Sequence, residues 1–392
     1  MSDSTIELHA TSSLLRAGVV STDQEFRDLE PEWKRLFRQI CCSNVFLSFE
    51  WLSEWWRHFG REGKLLIVTL RDECNSLVAL APLYIAREGP LRLRKLGFLG
   101  DQWVGSDHMD FLVDRTVGPI DLGLISKIVL EQRAEWDYVQ LSDVREDSIA
   151  ATVFRRSMEK MGLTSTLTPS TVCPYGNLPR TEEELMARIS SRFRRSLRYD
   201  AGNLRRQGLV EFATFTDWPE ALPAFDELLR LHKSRFKHRH AASAFVGSAV
   251  EAFHQDVFRT LVDAGWAQIR VLKVDGACVA AAYQLACNRS LYSYQNGIDP
   301  AYSRFSVGHQ LLQFTLQDAI RRGYTEFDFL RGDEPYKSKW VGHSRTLFHL
   351  RLFDQRLASR IARATITLRR ALRQSKSALQ KSFPTCLLTR HP

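Results

Sequence analysis

The sequence predicts an α/β fold with mixed α+β sheets, built from a unit that occurs twice. Two segments of strand, acidic turn and strand carry the prediction: LLIVTLRDECNSLVALAPLYIA at 65–86 and AQIRVLKVDGACVAAAYQLAC at 267–287. They lie about 200 residues apart, the spacing of a domain-sized repeat. Each is followed later by a helical pattern and a strand rich in aromatics, WDYVQLSD at 136–143 and FDFLRGD at 327–333. The 392 residues are enough for two or three domains, and 44% hydrophobic with 25% charged residues is ordinary for a globular chain.

In order, the spacing predicts a helix over 23–40, with Phe26, Leu29, Trp33, Leu36 and Phe37 on one face. Ser48 caps a second helix, FEWLSEWWRHF, ended by Gly60. The first hairpin follows at 64–70 and 76–85, then a strand at 96–99, a polar Gly-rich loop (GDQWVGSDHMD) and extended residues 111–113. Helices at 120–133 and 148–161 flank a strand at 136–141, and 163–167 reads as a further strand. TPSTVCPYGNLPR carries three prolines and a glycine and reads as a linker. The expected division is therefore a first half at 1–168, a linker at 169–180, a second half at 181–354 and a basic tail at 355–392.

The second half opens with one long helix, 181–208. Thr181 and Glu184 fit a capping box, and Leu185, Ile189, Phe193, Leu197 and Leu204 face inward. Its outer arginines, Arg188 to Arg206, read as a solvated face or as a stripe for a bulky anionic substrate. A strand at 209–215 and helices at 218–236 and 246–264, joined by a His-rich turn at 237–243, precede the second hairpin. Then comes 294–340, in which Ser306 caps a helix, Gly308 lies in its first turn and Gly323 ends it. A loop feeding a helix N-terminus is an anion site. A strand at 326–330 delivers the ionisable run Arg331-Gly332-Asp333-Glu334-Pro335-Tyr336-Lys337, and 346–354 is the last strand.

The net charge of +9 is confined to the tail. Of 54 basic residues nine lie beyond Gln355, leaving 45 against 45 acidic ones in the body. A neutral body argues against nucleic acid as a partner. The tail has apolar residues Leu357, Ile361, Ala364, Leu368, Leu372 and Leu379 at helical spacing. It reads as an amphipathic element for an anionic membrane surface or a partner such as a polysaccharide synthase, or as a disordered solubilising tail. No secretory signal is visible in MSDSTIELHA and no segment is long enough to span a bilayer, so the expected location is cytoplasmic, with the inner face of the membrane as a peripheral alternative. Seven cysteines without a C-x-x-C pair predict neither a disulfide framework nor a zinc site. Cys41-Cys42 read as buried helix residues, and Asp107, His108 and Asp110 as a polar loop rather than metal ligands.

The order Phe49-Glu50-Trp51-Leu52, Pro82-Leu83-Tyr84, Ser196-Leu197-Arg198, Val274-Asp275-Gly276, Tyr294-Gln295-Asn296-Gly297, Ser306-Val307-Gly308, Phe327-Asp328-Phe329-Leu330 and Gly332-Asp333-Glu334-Pro335-Tyr336-Lys337 resembles the CelD-like acetyltransferases. That family consists of tandem GNAT-fold proteins related to the Fem aminoacyltransferases, and the resemblance spans about 46–353. It implies two GNAT-like halves and acyl transfer from acetyl-CoA, or a similar thioester, to a cell-envelope or exopolysaccharide precursor, a carbohydrate-type acceptor. It implies no metal. Donor contacts are then expected from Arg304, Ser306, Val307, Gly308 and His309. Asp333 is the first choice of base, with Asp328 and Glu334 as alternatives, and Tyr336 is the acid. Backbone N–H groups near Tyr294–Asn296 would hold the oxyanion. Lys337, Arg331, Tyr294 and Trp340 are the expected substrate contacts. An aminoacyl-tRNA-dependent transferase and a non-catalytic synthase scaffold are the alternatives.

Overall fold

The computed structural model describes residues 15–42, 44–101, 104–239 and 247–382, and the predicted His-rich turn at 237–243 falls largely outside them. The first half runs β1 (Arg16–Val20), α1 (Asp23–Asp28), α2 (Glu30–Gln39), α3 (Phe49–Phe59), β2 (Lys64–Leu65), β3 (Ile67–Arg71), β4 (Leu77–Ala81) and β5 (Leu83–Glu88). It continues with β6 (Leu93–Phe98), β7 (Leu112–Val113), α4 (Gly123–Glu131), β8 (Tyr138–Arg145), α5 (Arg155–Lys160) and β9 (Thr164–Asn177). The second half comprises α6 (Glu182–Arg188), α7 (Ser191–Arg205), β10 (Val210–Phe215), α8 (Ala221–Arg239), α9 (Ser248–Asp263), β11 (Ala267–Val274) and β12 (Ala277–Cys287). After these come β13 (Ser290–Ile298), α10 (Val307–Arg321), β14 (Glu326–Asp328), β15 (His343–Phe353) and the tail helix α11 (Leu357–Ser382).

Strand order repeats in the two halves. In the second, β10, β11, β12 and β13 pair antiparallel in turn, and β14 then adds parallel to β13. In the first, β1, β3 and β4 pair antiparallel, β5 prolongs β4 beyond Pro82, β6 pairs antiparallel to β5, and β8 adds parallel to β6. Pro82 has no N–H to continue a ladder. There the long hairpin passes from a four-stranded sheet into an eleven-stranded one.

Each half completes the other. β9 pairs with β14 of the second half, while β15 lies between β8 and β9. The residues expected to be a linker are therefore central sheet. Prolines misled that expectation, since proline loses a donor but keeps its carbonyl, and the Pro174 carbonyl accepts the Phe329 N–H at 2.9 Å. Two predicted helices are also broken. Leu29 caps α2 and Pro31 is its second residue, and the 23–40 helix divides there. Ile189 is extended and the Ser190 hydroxyl accepts the Phe193 N–H, so the 181–208 helix restarts as α7. Cys41 and Cys42 lie past the end of α2, with Cys41 exposed rather than buried.

One core runs through both halves. Trp51 of α3 meets Phe253 of α9 edge-on at 5.2 Å and Tyr294 of β13 at 5.6 Å. Beside them sits His254, 1% exposed, its ring 5.6 Å from that of Tyr294. Burial, and then the neighbouring His232, push its pKa from 6.5 down to about 3. The unfolded chain takes up this proton near 6.5 and the folded chain only near 3. The stabilisation from a neutral His254 is therefore fully present above pH 6.5 and is lost as pH falls towards 3, by about 1.4 kcal/mol per pH unit. Urea unfolding of the wild type and of His254→Gln between pH 4 and 7 checks this: the wild-type curve should fall more steeply with acid, and parallel curves would refute it.

Candidate active site

β13 and β14 are paired only from Ser290–Glu326 to Tyr292–Asp328. Beyond Tyr292 the two strands part, and the register of β12 against β13 shifts at Tyr283/Gln284, leaving Tyr294 as an extra residue on β13. Such a bulge disrupts the ladder locally and leaves backbone groups to be satisfied otherwise. The cleft so opened is covered by the N-terminus of α10. It is a cavity of about 240 Å³ lined by Gln284, Ser293, Asn296 and Gly297 from the strands. Ser306, Val307, Gly308 and His309 from the helix end, with Phe329 and Tyr336 from the loop after β14, close it.

The helix end is set up differently from the predicted cap. Ser306 has φ +53°, in the left-handed region, and its side chain makes no cap bond. Its hydroxyl donates instead to Asp200 Oδ2 of α7 at 2.8 Å. The Ser306 carbonyl accepts the N–H groups of His309 and Gln310 at 2.9 and 3.1 Å. The amides of Val307 and Gly308 come earliest in the helix, where N–H groups have no intrahelical acceptor and the helix dipole is positive. A Cβ on Gly308 would meet only Ile298 Cγ2, at 3.5 Å, so bulk added there would extend into the cavity it lines.

His309 is oriented by Trp340, whose indole N–H donates to Nδ1 at 3.0 Å. Burial, and then the Lys339 charge, hold its pKa below the ordinary value. A neutral ring that accepts at Nδ1 carries its proton on Nε2, so His309 is a hydrogen-bond donor rather than a base. Tyr336 packs edge-on against Phe329 and His309, both at 6.0 Å between ring centroids. Below the cavity Gln284 is held by Arg270 at 2.9 Å, which also pairs with Asp318 of α10 at 2.7 Å. That chain ties helix to sheet.

Of the predicted residues, Ser306, Val307, Gly308, His309 and Tyr336 come together on this cavity, and the others lie outside its lining. Arg304 is exposed and stacks on Phe305 at 4.6 Å. Asp333 is exposed on the loop before Tyr336. Glu334 pairs with Lys337 at 2.8 Å. Four expectations change. Asp328 is fully buried and pinned by His108 at 3.1 Å, Arg345 at 2.9 Å and the Leu330 N–H at 2.7 Å. Burial alone would raise its pKa, but these bonds outweigh burial and hold it low, so it is a poor base. Lys337 is buried, its ammonium donating to the carbonyls of Arg331 and Gly332 at 2.8 and 2.9 Å, so it ties the loop together instead of holding an acceptor. Arg331 pairs with Asp107 and with Asp143, the latter at 3.0 Å. Tyr294 points across the sheet and its hydroxyl donates to the Val104 carbonyl.

Apart from Asp143 of β8, these partners come from the loop after β6, which supplies Val104 and Asp107 as well as the His108 that holds Asp328. It grips the second half from the face opposite the cavity, holding the bulge through Tyr294 and the loop after β14 through Arg331. In the first half the corresponding parallel pair is β6 and β8. On β6, Lys95 is fully buried, with Asp101 and Glu88 each at 2.8 Å.

Parallel strands that splay beside a bulge, under a helix N-terminus, decide the comparison. The fold is GNAT-like and duplicated. Residues 191–338 match the model of the acetyltransferase (GNAT) domain. The chain is similar to the crystal structure of FemX, at TM-score 0.60 and 11% identity over 82% of this chain and 95% of that one. It is also similar to a conserved protein of unknown function from Bacteroides thetaiotaomicron (TM-score 0.55, 12% identity, 86% and 99% covered). A third similar structure is a C-terminal domain assigned to a lysylphosphatidylglycerol synthetase of Agrobacterium fabrum (TM-score 0.53, 13% identity, 88% and 96% covered). No curated protein matches the sequence. At these identities the structural likeness establishes the GNAT-type acyltransferase fold.

Proposed function

We propose that the chain is an acyltransferase whose second half takes acetyl-CoA, or a similar thioester, as donor and acylates a cell-envelope or exopolysaccharide precursor. The observation that carries the reading is the cavity between the splayed strands and the free N-terminus of α10, within the segment that matches the acetyltransferase domain. Support for the carbohydrate-type acceptor comes from the resemblance to the CelD-like proteins.

In this reading the first amides of α10, at Val307 and Gly308, receive the anionic part of the donor, with Arg304 at the rim. The acyl carbonyl lies along β13 beyond Tyr292, where backbone N–H groups near the bulge stabilise the oxyanion. The acceptor's amine or hydroxyl attacks the carbonyl carbon, forming a C–N or C–O bond as the C–S bond breaks. Tyr336 gives its proton to the departing thiolate, and His309 Nε2–H donates a hydrogen bond within the cavity. Asp333, which makes no ion pair among the described residues, takes the acceptor's proton. Glu334 is occupied by Lys337 and Asp328 is buried.

Calorimetric titration with acetyl-CoA tests the donor. Saturable binding by the wild type, lost in Gly308→Val while the thermal transition is unchanged, is expected. Absence of wild-type binding would overturn the thioester reading and favour an aminoacyl donor.

A further inference from the structure

We propose that α11, together with the turn between β5 and β6, seats the protein on an anionic membrane surface. α11 has 26 residues, about 39 Å at 1.5 Å per residue. Its start is fixed to the body. Ser359 and Ala362 are fully buried, Ser359 Oγ accepts the Asp354 N–H at 2.9 Å, and Ile366 packs against the small cluster of Tyr138, Phe353 and Ala362. From Thr367 onward every residue whose side chain is described is exposed.

The unpaired side of the helix is apolar. Leu357, Ile361, Leu368 and Leu372 are 72%, 41%, 61% and 55% exposed. At about 100° per residue they fall in one arc of roughly 60°, opposite the docked Ser359, Ala362 and Ile366. Seven lysines and arginines and no acidic residue occur between Leu357 and Ser382. The β5–β6 turn lies beside the helix. Its Leu91 is 59% exposed beside exposed Arg92, and the Arg369 guanidinium lies so close to Gly89 that a Cβ there would sit 2.8 Å from its Nη2.

Charge selects the occupant. A second copy of the helix would bring seven more positive charges against these seven, with no acidic residue to answer either set. Nucleic acid would satisfy the arginines and leave four exposed apolar side chains in water. An anionic bilayer surface takes both, burying the apolar arc at the headgroup boundary while the basic side chains meet lipid phosphates. The helix lies on the surface and does not cross it, since no described helix is long and apolar enough to span a membrane.

The test is sedimentation of the full chain with vesicles of phosphatidylglycerol and phosphatidylcholine, and with vesicles of phosphatidylcholine alone. The double change Leu368→Gln, Leu372→Gln alters side chains outside the buried core, so the fold and any acetyl-CoA binding should be retained. Binding to the anionic vesicles should weaken at least about tenfold in the variant and fall with added salt, and phosphatidylcholine vesicles should bind far less. Equal binding by wild type and variant, or no binding to anionic vesicles, would overturn the proposal. Self-association of the wild type, lost in the variant, without vesicle binding would assign the face to a second copy instead.

Discussion

Replacing Tyr336 by phenylalanine should lower kcat by about 10²–10⁴-fold, the range of general acid catalysis, with KM for the thioester little changed. The ring stays, and with it the contacts to Phe329 and His309, so the loop and the thermal transition should persist. Only the hydroxyl is lost. A donor whose thiol has a lower pKa needs less help in leaving, so the defect should shrink as the leaving group improves. Steady-state rates of thiol release across a series of thioesters measure this. A defect of the same size for every leaving group would remove Tyr336 from the role of acid, and near-normal turnover would remove it from the chemistry.

The second large effect is on stability and lies in the first half. Lys95→Met should cost about 3–5 kcal/mol, because it strands the buried Asp101 carboxylate without its cation. The double variant Lys95→Met, Asp101→Asn should recover most of that, since an asparagine oxygen can still accept the Tyr84 hydroxyl, now 3.1 Å from Asp101 Oδ1. Urea unfolding measures both. A single-variant cost below about 1 kcal/mol, the range of a surface pair, would show that the network does not hold this half together. Acetyl-CoA binding should be unchanged in the double variant, because the proposed donor cavity is built from the second half. Its loss would implicate the first half in donor binding.

The strands and most helices were legible because their signals are local. The 65–86 and 267–287 hairpins are hydrophobic runs around acidic turns, and both form, as β3–β4–β5 and β11–β12. Residues of the helix end, Ser306 to His309, and Tyr336 were also legible as candidates, since they sit in a loop–helix or strand–loop unit a few residues long. The linker at 169–180 was misread because local breakers predict a chain end only where no neighbour strand supplies partners. Which of the carboxylates is buried could not be read from the sequence for a related reason. Nothing in the order Asp328, Asp333, Glu334 reveals which is buried, and the residues that neutralise Asp328, His108 and Arg345, lie 220 residues before it and 17 after.

By itself, then, the sequence determined that this chain is a duplicated α/β protein with a loop that runs into a helix, α10, in its second copy and a basic tail. Those features follow from hydrophobic periodicity, turn residues and the location of charge. Only the tertiary structure decided that each half donates its last strand to the other, that a first-half loop clamps the back of the second-half bulge, and that Lys337, Arg331 and Tyr294 hold the site together from outside it. The physical reason is burial. An ionisable side chain becomes a structural tie or a solvent-facing group according to what packs around it, and for these residues the packing partners come from the other half of the chain.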